Sequence, residues 1–253
     1  MLHIGIDDTD SVKGGCTTWL GTEIITELSE FDLIGYPRLV RLNPNVPWKT
    51  RGNGAVAFTF GKGVGPKQKI GVFQNSEIFA FEKGRDIKYD KNKIIGKISK
   101  LVSKHSHPDS QPGVVISDSF LPEGLYWQGV TSIVSEEMLS DAIVNASTFG
   151  LRGSRGICGA ACSLAWSGNS KNMNKIPHTW ELIGYRDEDK WGTNRDISSS
   201  TVQNISNLEG VFSCNDLDGK VAMVPNSPCP VLWGFRGTKA EILIDNFQIL
   251  GPE

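Results

Sequence analysis

Asp7, Asp8 and Asp10 fall within four positions at the end of an apolar run, Leu2 to Ile6, and Gly14 and Gly15 follow before a helix begins near Thr17. Neighbouring carboxylates repel one another, so this clustering costs stability unless a cation offsets it. Oxygen ligands of this kind suit Mg²⁺, which usually keeps waters and substrate phosphates beside one or two carboxylates. The glycines allow backbone amides to approach an anion, and the start of a helix favours negative charge. Metal plus triphosphate is one reading of the segment. An Asp-rich turn whose side chains bond local amides is the other.

A second segment, RLNPNVPWKTRGNGA (41–55), carries Lys49 and Arg51 beside a Gly-Asn-Gly run, Gly52 to Gly54. Lysine and arginine neutralise phosphate, arginine through a two-pronged fork. Gly52 and Gly54 would admit a close ligand on either side of Asn53, though an ordinary solvated loop has the same composition. Thr17 and Thr18 follow the Gly14-Gly15-Cys16 turn. Composition alone reads a hydroxyl there as a helix cap; the same place puts it near any phosphate bound at the helix start, as contact or as acceptor. Further along, His178 and Glu181 open a strand-like stretch, with alternation placing His178 and Trp180 on one face. Glu181 near Asp216 and aromatic residues would suit a cation. Arg152, Arg155 and Arg236 are each flanked by glycine, which fits turns or phosphate contacts.

The elements that must hold these groups follow from periodicity. The reading places a strand at 2–7, a helix at 17–30, strands at 34–42 and 55–60, and a Gly/Pro loop at 61–68 that lacks the closing Gly-Lys-Ser/Thr of a P-loop. An amphipathic helix carries Ile94, Ile95, Ile98, Leu101 and Val102. A buried strand runs over 113–117. Ser135 is read as the N-cap of a helix extending through Met138, Leu139, Ala142, Ile143 and Ala146. The segment FGLRGSRGICG (149–159) breaks the pattern and marks a domain boundary: 1–150, then 151–253. A small-residue helix is expected at 155–166, a strand at 178–186, a short helix around 198–206, strands near 211–214, 221–224 and 231–235, and a last helix at 238–246. Interleaved strands and helices argue an α/β or α+β fold of layered sheets, taken as α+β, the second part accommodating a ferredoxin-like βαββαβ layer.

Bulk properties bound the class. The chain has 253 residues, 39% hydrophobic and 21% charged, as in an ordinary globular protein. A net charge of −2 gives no global signature of nucleic-acid binding but leaves local basic surfaces open. The 5 cysteines form no CxxC pair, which fits a reducing, cytoplasmic setting better than a disulfide framework. Cys158 and Cys162 read as small buried residues on one helix face. No signal peptide and no membrane-spanning run is read from the sequence.

Taken in order, GIDDTDS…GGCTT, GYPRLVRLNPNVPWKTRGNGA, HTWELIGYR and PVLWGFRG resemble the archaeal tRNA(Ile) 2-agmatinylcytidine synthetase family. The resemblance covers roughly 2–60 and 150–240. It implies a kinase-like α/β N-terminal domain that binds ATP and Mg²⁺, then a ferredoxin-like domain. It further implies an ATP-dependent, carbon–nitrogen bond-forming ligase that attaches agmatine to carbon 2 of the wobble cytidine of an isoleucine tRNA. In such a protein a threonine of the GGCTT motif is phosphorylated, which motif alignment assigns to Thr17.

By the same resemblance Asp7, Asp8 and Asp10 are expected to hold Mg²⁺, with Thr17, Asp7, Asp8 and Lys49 in catalysis. Gly14, Gly15, Cys16, Thr18, Arg51, Asn53 and Gly54 are expected around ATP. Agmatine is a dication, so carboxylates and aromatic faces should receive it; His178, Glu181, Asp216 and Arg236 are the candidates. The resemblance has departures. Cys229 and GICGAACSLAW differ from the family pattern. The OB-fold and zinc-ribbon modules that follow in the family are expected to be missing, either from a cut chain or from a natural short form that receives them in trans. Two rivals stand beside the ligase: a non-catalytic nucleotide- or tRNA-binding relative, and an unrelated small-molecule phosphotransferase.

Overall fold

A computed structural model describes residues 1–50, 52–73, 76–153, 155–166, 180–182, 207, 209, 211–215 and 234–237. By contacts the chain divides into two compact units, Met1–Lys171 and Asn172–Glu253.

The first unit is built around β1 (Leu2–Asp7), which is buried on both faces up to Asp7. It lies between β4 (Gly54–Phe73) and β6 (Gly113–Ser117), antiparallel to both. The 7-stranded sheet runs β2-β4-β1-β6-β7, with β3 and β5 also paired to β4. Here β2 is Asp32–Leu33, β3 Arg38–Arg41, β5 Ser76–Arg85 and β7 Ser147–Gly150.

Side-chain alternation sorts the layers. Ile4, Ile6, Phe58 and Ile116 point to one face, beneath α1 (Thr17–Glu27) and α2 (Lys91–His105). The α2 stripe Ile94, Ile98 and Val102 is buried, and the Asp90 carboxylate caps its start by accepting from the Asn92 and Lys93 amides. The opposite face presents Gly5, Ala57 and Val115 to α5 (Arg155–Ala165), which is buried along nearly its whole length. Helix α3 (Glu123–Thr131) packs outside α5. The approach of α5 is close because small residues line it. A Cβ on Gly113 of β6 would come within 1.9 Å of the Ile157 amide nitrogen, backbone that cannot swing aside.

Three expectations are corrected. The stretch 61–68 is strand, not loop: β4 continues to Phe73 and pairs with β5, and the register shift between Val64 and Lys67 absorbs the Gly65-Pro66 pair. The helix after Ser135 is only α4 (Glu136–Leu139); Ser135 makes no side-chain cap bond, and turns carry the chain to Ala146. Ser147–Gly150, which overlaps the segment read as pattern-breaking at Phe149 and Gly150, is β7, paired with β6.

In the second unit β8 (Trp180–Leu182), β10 (Gly234–Gly237) and β9 (Val211–Asn215) form an antiparallel sheet in the order β8-β10-β9. The expected helices at 198–206 and 238–246 and the strand near 221–224 lie outside the described residues.

Candidate active site

The carboxylate cluster sits where β1 runs out beside α5. Asp7 is the last residue on the α5-facing side of the strand, and its carboxyl lies against Gly159: a Cβ there would meet Oδ2 at 1.7 Å. Burial pushes Asp7 up to about 8, with the charges of Asp8 and Asp10 adding to the rise and Arg155 opposing it. The chain turns at Asp8 through a left-handed conformation, φ 52°. The Asp8 carboxylate meets the Arg155 guanidinium at 3.2 Å. Burial raises its pKa too, against the pull of Arg155.

The hydroxyl of Thr17 occupies the other side of the turn. Thr17 is buried and is the first residue of α1. It accepts a hydrogen bond from Thr9 Oγ1 at 2.8 Å and directs its own proton toward Asp10 Oδ1 at 3.5 Å. The expected role as helix cap fails for both threonines: Cys16 is the N-cap residue, and no side chain caps the helix there. The first amides of α1 therefore keep their capacity for an anion. Gly15 takes φ 84° beside the Asp10 backbone, and Cys16 Sγ lies 3.2 Å from Thr18 Oγ1.

The second loop reaches the same place. Thr50 donates to the Asp10 carbonyl at 3.3 Å, and Arg155 lies over the Trp48 ring at 5.9 Å. Lys49 is exposed on this loop; Arg51 lies outside the described residues. Asn53 closes the loop: its amide donates to the Asn43 carbonyl at 2.9 Å, and its carbonyl accepts from the Leu42 amide at 2.8 Å. Gly54 starts β4 against Leu39, with no left-handed φ.

Of the second-unit candidates, Glu181 and Arg236 are register partners across β8 and β10. His178 and Asp216 lie outside the described residues. Arg152 has a structural assignment: it donates to the Ser110 and His107 carbonyls and to Ser106 Oγ, at 2.9, 2.8 and 2.8 Å. Sequence spacing had no means of pairing Arg155 with Asp8, or Thr9 with Thr17, because the fold alone brings α5 and the turn together.

Among the described residues no three His, Cys, Asp or Glu side chains form a protein-only metal cage. Mutually repelling, partly buried carboxylates fit instead a Mg²⁺ shared with phosphate oxygens and water. The arrangement as a whole offers a buried hydroxyl, carboxylates, an arginine and an open helix start around one turn. Those parts suit phosphoryl transfer, which asks for positioning and charge neutralisation.

Residues 3–151 match the TiaS TCKD domain and residues 154–252 the TiaS FLD domain. The tRNA 2-agmatinylcytidine synthetase TiaS of Thermoplasma volcanium is 33% identical over 93% of this chain and 53% of its own length. That of Thermococcus sibiricus is 35% identical over 98% and 53%. Among solved structures, a crystal structure of TiaS in complex with tRNA and ATP superposes with a TM-score of 0.73 at 26% identity, covering 99% of this chain and 56% of that one. The chain thus spans about half the length of the relatives it matches.

Proposed function

Because this chain belongs to the TiaS family, we propose that it works in the ATP-dependent attachment of agmatine to carbon 2 of the wobble cytidine of isoleucine tRNA. The observation that carries the reading is the Thr17 hydroxyl, buried at the start of α1 with its proton aimed at Asp10. Asp10 takes that proton as the Thr17 oxygen bonds to the γ-phosphorus of ATP and the bond from phosphorus to its bridging oxygen breaks. Thr9, donating to Thr17, fixes the rotamer that leaves a lone pair facing the phosphate.

Asp7, with Asp8 and Asp10, would hold Mg²⁺, whose charge screens the triphosphate. Burial keeps Asp7 protonated to about 8, so its ionised form belongs with a cation beside it. Arg155 neutralises Asp8 and sets a guanidinium beside the turn for an incoming phosphate. Lys49 and Arg51 contact phosphate from the second loop. Phosphoryl transfer from the triphosphate to the cytosine 2-oxygen also makes that oxygen a leaving group: the agmatine amine bonds to carbon 2 and gives up a proton, and the bond from carbon 2 to oxygen breaks to release phosphate. The agmatine pocket is assigned to the second unit, with Glu181, Asp216, His178 and Arg236. A tRNA-acting enzyme of this kind works in the cytoplasm.

Incubation with γ-labelled ATP and Mg²⁺ tests the core of this reading. The protein should acquire label, and Thr17→Ala should lose it while Thr18→Ala keeps it. Asp8→Asn should weaken Mg²⁺-dependent ATP binding roughly tenfold or more, the scale of losing one charged contact. Undiminished labelling of Thr17→Ala would overturn the assignment and leave a nucleotide-binding relative without acceptor chemistry.

A further inference from the structure

The β4–β5 hairpin is absent from the chemistry above. Past Gly61 the partner of β4 is β5, and the ribbon is anchored on one side. Phe73 and Ala80 are buried, with Phe73 set edge-on to Trp19 of α1 at 6.1 Å. Gly61 and Gly84 lie against Ile34. The other side carries exposed cations in alternate rungs. Lys62 stands directly opposite Arg85, and Lys83 stands opposite Val64 two rungs on, on the same face. Lys67 lies over the Phe79 ring at 4.3 Å. Lys69 is paired with Glu77 at 2.6 Å, whereas Lys62, Lys83 and Arg85 have no carboxylate partner among the described residues.

Like charges directly opposite across a ladder destabilise it. Over 62–85 Lys62, Lys67, Lys69, Lys83 and Arg85 outnumber Glu77 and Glu82, in a chain whose net charge is −2. A polyanion laid across the rungs would remove the repulsion. A ribbon held rigidly from behind loses little side-chain and backbone freedom when it binds one. We propose that Lys62, Lys83 and Arg85 on the outer face of the β4–β5 hairpin form an RNA-binding surface that holds the phosphate backbone of the tRNA. The proposal rests on the reading of the chain as a tRNA-acting enzyme. Contacts of this kind position the RNA without reading its sequence.

Binding of labelled isoleucine tRNA to the whole chain, measured from about 50 to 200 mM salt, tests it. The triple variant Lys62→Gln, Lys83→Gln, Arg85→Gln should lower the slope of log affinity against log salt by roughly 2–3, near 0.9 or less per contact. Lys69→Gln should leave the slope unchanged. Ultraviolet crosslinking of the unmutated protein to tRNA should yield adducts in the peptide spanning 62–85, a readout that does not depend on the variant folding. An unchanged slope in a folded triple variant, or crosslinks that avoid the hairpin, would show that these cations only block edge-to-edge strand pairing, and the proposal fails. Labelling of Thr17 by ATP should be the same in the triple variant, so failure here is distinct from failure of the phosphoryl-transfer reading.

Discussion

His3 and Asp7 stand on one side of the same strand, and burial drives both to their neutral forms. Asp7 is pushed up to about 8, while His3 is lowered to about 4, first by burial and then by the charge of Arg38. The His3 ring is held 3.1 Å from Thr59 Oγ1 and lies tilted against Phe120, ring centroids 4.2 Å apart. As pH falls below about 6.5, the ordinary value for histidine, the unfolded chain takes up this proton before the folded one does. Stability present above that pH is therefore lost progressively down to about 4. The loss from this group approaches ~3 kcal/mol. Asp7 acts in the opposite sense, its contribution fading as pH rises toward 8. The clean measurement is thus the difference between the wild type and His3→Gln in urea unfolding at pH 7 and pH 4.5. The variant should lose less stability over that interval; parallel curves would remove His3 as the cause. At this scale the sequence made the carboxylates legible, since Asp7, Asp8 and Asp10 are neighbours in the chain. It did not reveal the pairing of Asp8 with Arg155, or why Asp7 is pressed on Gly159, because those contacts join distant segments. Thr17 was legible as a hydroxyl at a helix start, but its geometry comes from Thr9 and Asp10, not from capping.

The element that sets the site is α5, and its glycines make the fit possible. Gly159→Ala places a methyl where Asp7 Oδ2 lies, so the carboxyl must move while the helix gains propensity. This variant should fold, yet bind Mg²⁺–ATP several-fold more weakly, as calorimetric titration would show; wild-type affinity would mean that Asp7 is not in the site. Helices and strands with clear periodicity, such as α2 with Ile94, Ile98 and Val102, were legible because one buried stripe determines them. The β4–β5 hairpin was not. Gly65 and Pro66 carry the local signal of a loop, and only pairing with β5 overrides it. Helix α4 ends at Leu139, its buried anchor, yet the turns beyond it still set Ala142, Ile143 and Ala146 against the same core, so the apolar spacing read as helix reports burial and not helix length.

At the scale of the whole molecule, the α+β class and the membership of both halves in one family were legible from long motifs that the chain carries in order. Where the chain changes from one unit to the next was harder to place. The Gly/Arg-rich run 149–159, where the sequence reading set its boundary, holds the end of β7 and the start of α5, and both of these pack with the first sheet. The two family segments meet between 151 and 154, whereas the contacts divide the chain at Lys171. Gene dissection should feel that mismatch. A polypeptide ending at 153 leaves Ala57, Val115 and Leu125 facing water where α5 should cover them, and should bind a hydrophobic dye and melt without a sharp transition. One ending at 171 should refold as a cooperative unit. If the shorter product melts as sharply as the longer one, the helix is a passenger and not a keystone; otherwise the functional seam of this family and its folding seam are two different places in the same gene.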